Sequence, residues 1–134
     1  MNEKKLIRIR DVMKDKFDMV DGMETVEHAL NTMNHLETKS LIVKKRDEND
    51  EYGMVTLSDI ARKVIALDRS PDRVNVYEIM SKPVVTVSPN MDIRYCARLF
   101  SRFNLTRAPV VEDGKVIGFV SFTDMVVKGL RKSE

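Results

Sequence analysis

Gly53-Met54-Val55-Thr56-Leu57-Ser58-Asp59 and Gly118-Phe119-Val120-Ser121-Phe122-Thr123-Asp124 are one pattern, Gly-x-x-(Thr/Ser)-x-(Ser/Thr)-Asp, written twice in a chain of 134 residues. Each copy ends a short apolar run in a hydroxyl side chain and passes into an apolar-periodic segment, Ile60 to Leu67 and Met125 to Leu130. That is how a strand running directly into a helix reads. A duplicated strand-to-helix junction makes the internal repeat the first thing to establish.

Outward from the motif the repeat continues. Ile9-Arg10-Asp11-Val12-Met13 matches Val76-Tyr77-Glu78-Ile79-Met80, each a short helical turn ending in Met. Val26, Ala29, Leu30 and Met33 recur as Ile93, Cys96, Ala97 and Phe100, the i, i+3, i+4, i+7 spacing of one buried helical stripe. After a one-residue slip, Thr38 to Val43 matches Thr106 to Val111, β-branched runs that predict buried strands. The second copy then turns at Asp113-Gly114 into Lys115 to Val120, whereas the first uses the charged loop Lys44 to Glu51 before Tyr52 to Val55. These matches divide the chain into repeat 1 (7–67), a polar linker (68–75) and repeat 2 (76–132). The expected fold is α/β (α+β), two βαββα repeats related by a pseudo-twofold axis and packed sheet to sheet, because neither half can bury both faces of its sheet alone. Leu99 and Phe103, read as exposed beside the inner stripe, point to a second covered surface, which either a homodimer or a better-filled monomer core supplies.

Composition narrows the function. Hydrophobic residues are 43% and charged residues 33%, the balance of a globular protein, and no apolar run is long enough to span a bilayer. The start, Met-Asn-Glu-Lys-Lys-Leu-Ile-Arg, lacks the apolar core of a secretory signal, so a cytoplasmic location is expected. A net charge of +2 disfavours nucleic acid, for which the remaining route is the basic ends: Lys4, Lys5, Arg8 and Arg10 with Lys128, Arg131 and Lys132. Cys96 has no partner thiol and reads as core. His28 and His35 fall i, i+7 on the first helix, too far apart for the usual i, i+4 metal pair, and no metal site is expected. With no nucleophile elbow, Walker loop or paired carboxylates, the chain is not expected to be an enzyme.

The motif carries binding chemistry instead. At a strand-to-helix junction the unpaired N–H groups of the first turn hold partial positive charge. Thr56 and Ser58, or Ser121 and Thr123, can donate hydroxyl hydrogen bonds to a phosphate there. Asp59 or Asp124 can accept from a ribose diol, and Gly53 or Gly118 leaves room for close backbone approach. The competing explanation is helix capping, with Ser58 and Thr123 as N-caps followed by an Asp that suits the helix dipole.

This ordered, duplicated set, together with Ser40-Leu41-Ile42-Val43, Ala108-Pro109-Val110-Val111, Val12-Met13 and Ile79-Met80, resembles the paired cystathionine β-synthase (CBS) domains, or Bateman module, over nearly the whole chain. The resemblance implies a regulatory ligand of the AMP, ADP or ATP class, with S-adenosylmethionine or NAD as alternatives, bound in clefts between the halves. It implies Asp59 and Asp124 as ribose ligands, and Thr56, Ser58, Ser121, Thr123, Arg107 and Lys39 on the phosphate side. It places the adenine against Val84-Val85-Thr86 or Phe17-Asp18-Met19, with Ala108-Pro109 and Ser40-Leu41 as facing walls. Copy two offers a clean strand at Pro83 to Val87, whereas copy one sets Asp18 where the base would pack, so the Asp124 site is expected to be strong and the Asp59 site weak or empty. The expectation is therefore a stand-alone regulatory module whose homodimer geometry is read by a protein partner. The alternative is an interaction module with vestigial clefts.

Overall fold

The computed structural model describes residues 6–131, which form in chain order α1 (Ile9–Val12), β1 (Met19–Val20), α2 (Val26–Asn31), β2 (Ser40–Val43), β3 (Gly53–Thr56), α3 (Leu57–Ile60), α4 (Val76–Ile79), α5 (Ile93–Arg102), β4 (Arg107–Glu112), β5 (Lys115–Ser121) and α6 (Phe122–Leu130). The expected α/β class is what the structure shows, two small sheets with helices on them. The chain forms two compact units that are cut differently from its sequence repeats. One is the continuous stretch Phe17–Val84, and the other joins the residues up to Lys16 to those from Val85 onward. Each unit thus takes the leading helical turn of the opposite repeat.

Backbone hydrogen bonds hold that exchange at both ends of each turn. Ile9 N–H donates to Met91 C=O at 2.8 Å and Ile93 N–H to Ile7 C=O at 2.9 Å, so α1 and α5 begin side by side. Val26 N–H to Val74 C=O and Val76 N–H to Glu24 C=O, both 2.8 Å, do the same for α2 and α4. Past the terminal Met, Lys14 and Phe119 exchange a reciprocal pair of bonds, each 2.8 Å, and Ser81 and Met54 another of 2.9 and 3.0 Å. The neighbouring glycines make this approach possible. A Cβ on Gly118 would lie 2.7 Å from the Lys14 carbonyl oxygen, and one on Gly53 would lie 2.8 Å from the Met80 sulfur and 3.2 Å from the Ser81 carbonyl. It is the chain's own backbone that comes close at both positions.

In the Phe17–Val84 unit the sheet runs β1-β2-β3, with β1 parallel and β3 antiparallel to β2. Its core gathers Val20, Val26, Ala29, Leu41, Val43, Val55, Val64 and Ile79, with Leu30 and Met33 packed against it. Helix α2 is shorter than its apolar pattern predicts and ends at Asn31, so His35 lies beyond it. Asp18 explains the stop, because its carboxylate accepts from the Asn34 and His35 N–H groups at 2.9 and 2.8 Å. The helix expected from Ile60 to Leu67 begins at Leu57 and passes into a π-helical turn at Ala61–Ile65. The charged loop after β2 folds around the nearly buried Asp50, which accepts from Arg46 N–H and Lys82 Nζ, both at 2.8 Å. Those donors hold its carboxyl well below the ordinary range, so the loop is not the purely solvated one its composition suggests.

The other unit has a two-stranded sheet, β4 antiparallel to β5, closed by Asp113-Gly114 with φ of 53° and 78°. Two successive positive φ values make a type I′ turn, as Asp-Gly predicts. Its core holds Ile9, Val12, Cys96, Phe100, Val110, Val120 and Met125, and Phe100 meets Phe122 edge to face at 5.3 Å. Leu99 packs against this core, which corrects its reading as an exposed residue, while Phe103 is exposed. The strand expected at Pro83 to Val87 reduces to a single bridge, Val87 with Val110. Val87 N–H donates to Pro109 C=O and its own C=O accepts from Val111 N–H, but Pro109 has no N–H with which to extend the ladder toward Val85.

Two outcomes follow. Gly118→Ala should lower the unfolding free energy by about 3 kcal/mol in a denaturant titration, because backbone must move, and Gly53→Ala by about 1–2 kcal/mol, because the Met80 thioether can swing aside. Burial pushes the Cys96 thiol from its ordinary 9.0 up to about 11. The folded chain therefore holds that proton more tightly than the unfolded one, so the thiol's contribution to stability is intact below pH 9 and is lost as pH rises toward 11. Thiol-alkylating reagents at pH 8 should label Cys96 only at the rate of unfolding.

Candidate functional site

Both motifs are capping boxes. Thr56 Oγ1 accepts from Asp59 N–H and Asp59 Oδ2 from Thr56 N–H, each at 2.9 Å. Ser121 Oγ accepts from Asp124 N–H at 3.2 Å, and Asp124 Oδ2 accepts from Ser121 N–H at 2.9 Å and from its hydroxyl at 3.0 Å. The capping hydroxyls are therefore Thr56 and Ser121, not Ser58 and Thr123, which sit exposed in the first helical turn. The strand's last residue caps the helix because the helix starts immediately after it, and Asp at N3 closes the box. Each motif is thus built first by local helix chemistry, which aligns two hydroxyls and a carboxylate along one junction.

Strand register corrects the alignment of the repeats. Ser40 pairs with Thr56 on its ladder, and Arg107 pairs with Ser121. The structural counterpart of Arg107 is therefore Ser40, at the same spacing that relates Ile9 to Val76, and no slip is needed. Lys39 corresponds instead to Thr106. Lys39 C=O accepts from Leu57 N–H and Thr106 C=O from Phe122 N–H, both at 3.0 Å, and Lys39 is exposed in the left-handed region at φ 56°.

The two units differ most around their Asp residues. Asp124 is 3% exposed and its Oδ1 is held by the Lys14 ammonium, a residue the motif analysis missed. Extending the match by one residue past Met13 and Met80 aligns Lys14 with Ser81 and would have exposed the difference. Arg107 is half-buried, and its guanidinium is pulled down by desolvation and pushed back up by the Asp124 carboxylate. Asp59 meets Arg62 Nη2 at 3.5 Å, an arginine whose side chain is 70% exposed. Ser40 is buried and its hydroxyl has no hydrogen-bond partner among the described residues.

The Phe17–Val84 unit brings together Phe17, Met19, Lys39, Ser40, Leu41, Gly53, Thr56, Ser58 and Asp59. The other holds Val85, Thr86, Arg107, Ala108, Pro109, Gly118, Ser121, Thr123 and Asp124, and Val84 closes the first unit. Asp18 spends both oxygens on the 34–35 backbone, so it no longer argues against a ligand in the first unit. Among the described residues no three His, Cys, Asp or Glu side chains converge on a metal position, and no helix is long and apolar enough to cross a membrane. Arg8 donates to Asn90 C=O and Arg10 pairs with Glu112 at 3.0 Å, while Lys4, Lys5 and Lys132 lie outside the described residues.

A family model of the CBS domain matches residues 9–66 and again 76–129, one match over each motif. The chain belongs to the CBS domain family. This CBS pair is 34% identical over 113 residues to a protein of Methanopyrus kandleri, an alignment covering 81% of the chain and 57% of that relative. It spans about half to three-fifths of the length of the first curated relatives it matches. Among solved structures it superposes on the hexameric CBS-CP12 protein from bloom-forming cyanobacteria with TM-score 0.88 and 36% identity, covering 93% of this chain and 72% of that one. It also superposes on the CBS domain pair of MJ0100 in complex with 5′-methylthioadenosine and S-adenosyl-L-methionine, with TM-score 0.72, 23% identity and coverage of 89% and 96%.

The unequal surroundings of the motifs give a direct test. Asp124→Ala should destabilise the CBS pair by about 3 kcal/mol or more, because it strands the largely buried Lys14 as well as opening the box. Asp59→Ala should cost about 1 kcal/mol, the worth of a cap beside a solvated arginine. Thermal and denaturant unfolding of the two variants measure the gap.

Proposed function

We propose that this CBS pair is a regulatory module that binds an adenosine-containing ligand of the AMP, ADP or ATP class at its Asp motifs. The observation that carries the reading is the cluster at Asp124. There Arg107 and Ser121 are ladder partners, Ser121 and Asp124 close one box, and Lys14 reaches the same carboxylate. A carboxylate for a ribose diol thus stands beside two cations suited to phosphate. The MJ0100 pair with its two adenosyl compounds supports the coarser reading of an adenosine-containing ligand, and leaves S-adenosylmethionine as the alternative at one or both motifs.

In this reading Asp124 and Asp59 hold ribose, and Ser121, Thr123, Arg107, Thr56, Ser58 and Lys39 serve the phosphate side. Val85, Thr86, Ala108 and Pro109, or Phe17, Met19, Ser40 and Leu41, serve the adenine. The ligand acts by binding one arrangement of the protein better than another, and a partner protein reads the result. A homodimer fits the exposed apolar side chains of one unit, Tyr95 and Phe103 at α5 and Val126, Val127 and Leu130 on α6. No catalytic role is part of the reading.

Thermal unfolding against AMP, ADP, ATP, S-adenosylmethionine and NAD is the test. At about 100 times its dissociation constant a bound ligand should add roughly 2.7 kcal/mol of stability. Asp124→Asn, which keeps the shape of the box, should remove most of that gain. No shift with any of the five, joined to loss of self-association in Phe103→Glu, would favour the interaction module.

A further inference from the structure

We infer that the Asp124 unit selects adenosine ligands bearing a 5′ phosphate, that Lys14 is the selecting residue, and that the Asp59 unit makes no such demand. The inference rests on the adenosine reading above and adds to it which unit takes which chemistry.

The structural alignment carries the argument. Two positions matter at the Asp124 motif: Lys14, after the terminal Met of the exchanged turn, holds the carboxylate, and Arg107 stands opposite the capping Ser121. The residues aligned with them in the other unit are Ser81, which pairs with Met54, and Ser40, which stands opposite the capping Thr56. Both cations of the first are serines in the second.

At Asp124 the consequence is specific. Oδ2 is already committed to the Ser121 N–H and hydroxyl, which leaves Oδ1, and Lys14 holds Oδ1. A ribose diol that docks on this carboxylate must share or displace the ammonium. The Lys14 side chain is only 25% exposed, so an ammonium pushed off its partner stays largely out of water and needs another anion. A 5′ phosphate supplies one. A neutral 5′ thioether does not, and a sulfonium brings a like charge. At Asp59 no cation is held on the carboxylate by burial: Arg62 is mostly in solvent, Lys39 is exposed, and the half-buried Lys63 donates to the Ile79 carbonyl at 3.0 Å. The buried Ser40 hydroxyl, unpartnered among the described residues, suits a neutral polar group instead.

The matched probes are AMP and 5′-methylthioadenosine, the same adenosine with a charged or an uncharged 5′ end. Calorimetry on the full chain carrying Asp59→Ala isolates the Asp124 unit. There AMP should bind more tightly than the thioether. Adding Lys14→Ser, which copies Ser81, should weaken AMP by roughly tenfold, the worth of one charge-assisted hydrogen bond. The thioether should be unaffected or tighter, and Lys14→Arg should keep the preference. Lys14→Gln, which retains the stem without the charge, serves if the Ser variant unfolds. An unchanged AMP-to-thioether ratio in the uncharged variants, with Asp124→Asn abolishing binding, would overturn the role of Lys14 and leave the adenosine reading standing. Binding of neither probe by the unsubstituted chain is the separate failure, that of the adenosine reading, and it takes the inference with it.

Discussion

The reciprocal backbone pairing of Lys14 with Phe119, and of Ser81 with Met54, is the contact on which the rest of the molecule depends. Each pairing draws a segment from one sequence repeat against a strand of the other, at a distance that the missing Cβ of a glycine permits. Protein interiors are packed densely enough that such a contact cannot be loosened locally without moving a strand. It sets where the leading turns α1 and α4 lie, and so which core each of them completes. It also sets which residue arrives beside each motif Asp.

The motif illustrates how an arrangement built for helix capping suits the recognition proposed for it. A hydroxyl at the strand's last residue and a carboxylate at the third helical position satisfy first-turn N–H groups, whatever else they do. The same geometry leaves a carboxylate and hydroxyls at the end of a strand, the parts a ribose phosphate needs. Local stability and recognition chemistry therefore do not compete as explanations here. The difference between the copies lies outside the motif, in a lysine and an arginine whose counterparts are serines. The two copies share the scaffold and differ in charge at two aligned positions.

Much of this was legible in the residues. The apolar stripes, the Asp113-Gly114 turn and the duplicated junction each follow from short-range chemistry, and the structure contains all three, except that Met33 of the first stripe falls beyond α2. What failed did so for identifiable reasons. The strand alignment slipped by one because matching Thr38 with Thr106 looks better than matching Ser40 with Arg107, and only the ladder decides. The clean β pattern at Val84 to Val87 lost its ladder to a proline on the neighbouring strand, while the less regular Met19–Val20 gained one. Asp18 looked like an intruder in a binding surface because its partners, the 34–35 amides, are formed by a loop whose path no propensity describes. The exchange of leading turns is a long-range event, and nothing within either repeat announces it.

That exchange also orders the birth of the molecule. The Phe17–Val84 unit is continuous, so all its pieces have been synthesised once Val84 is made. The other unit must keep Ile9 to Lys14 waiting until Phe119 and Val120 have been added, because its core and its sheet edge draw on segments of both repeats. Loop closure over so long a span is slow compared with the local contacts of a hairpin or helix. During translation the apolar Ile9 and Val12 therefore have no native place to go until the second hairpin is made, whereas the core of the first unit needs nothing beyond Val84.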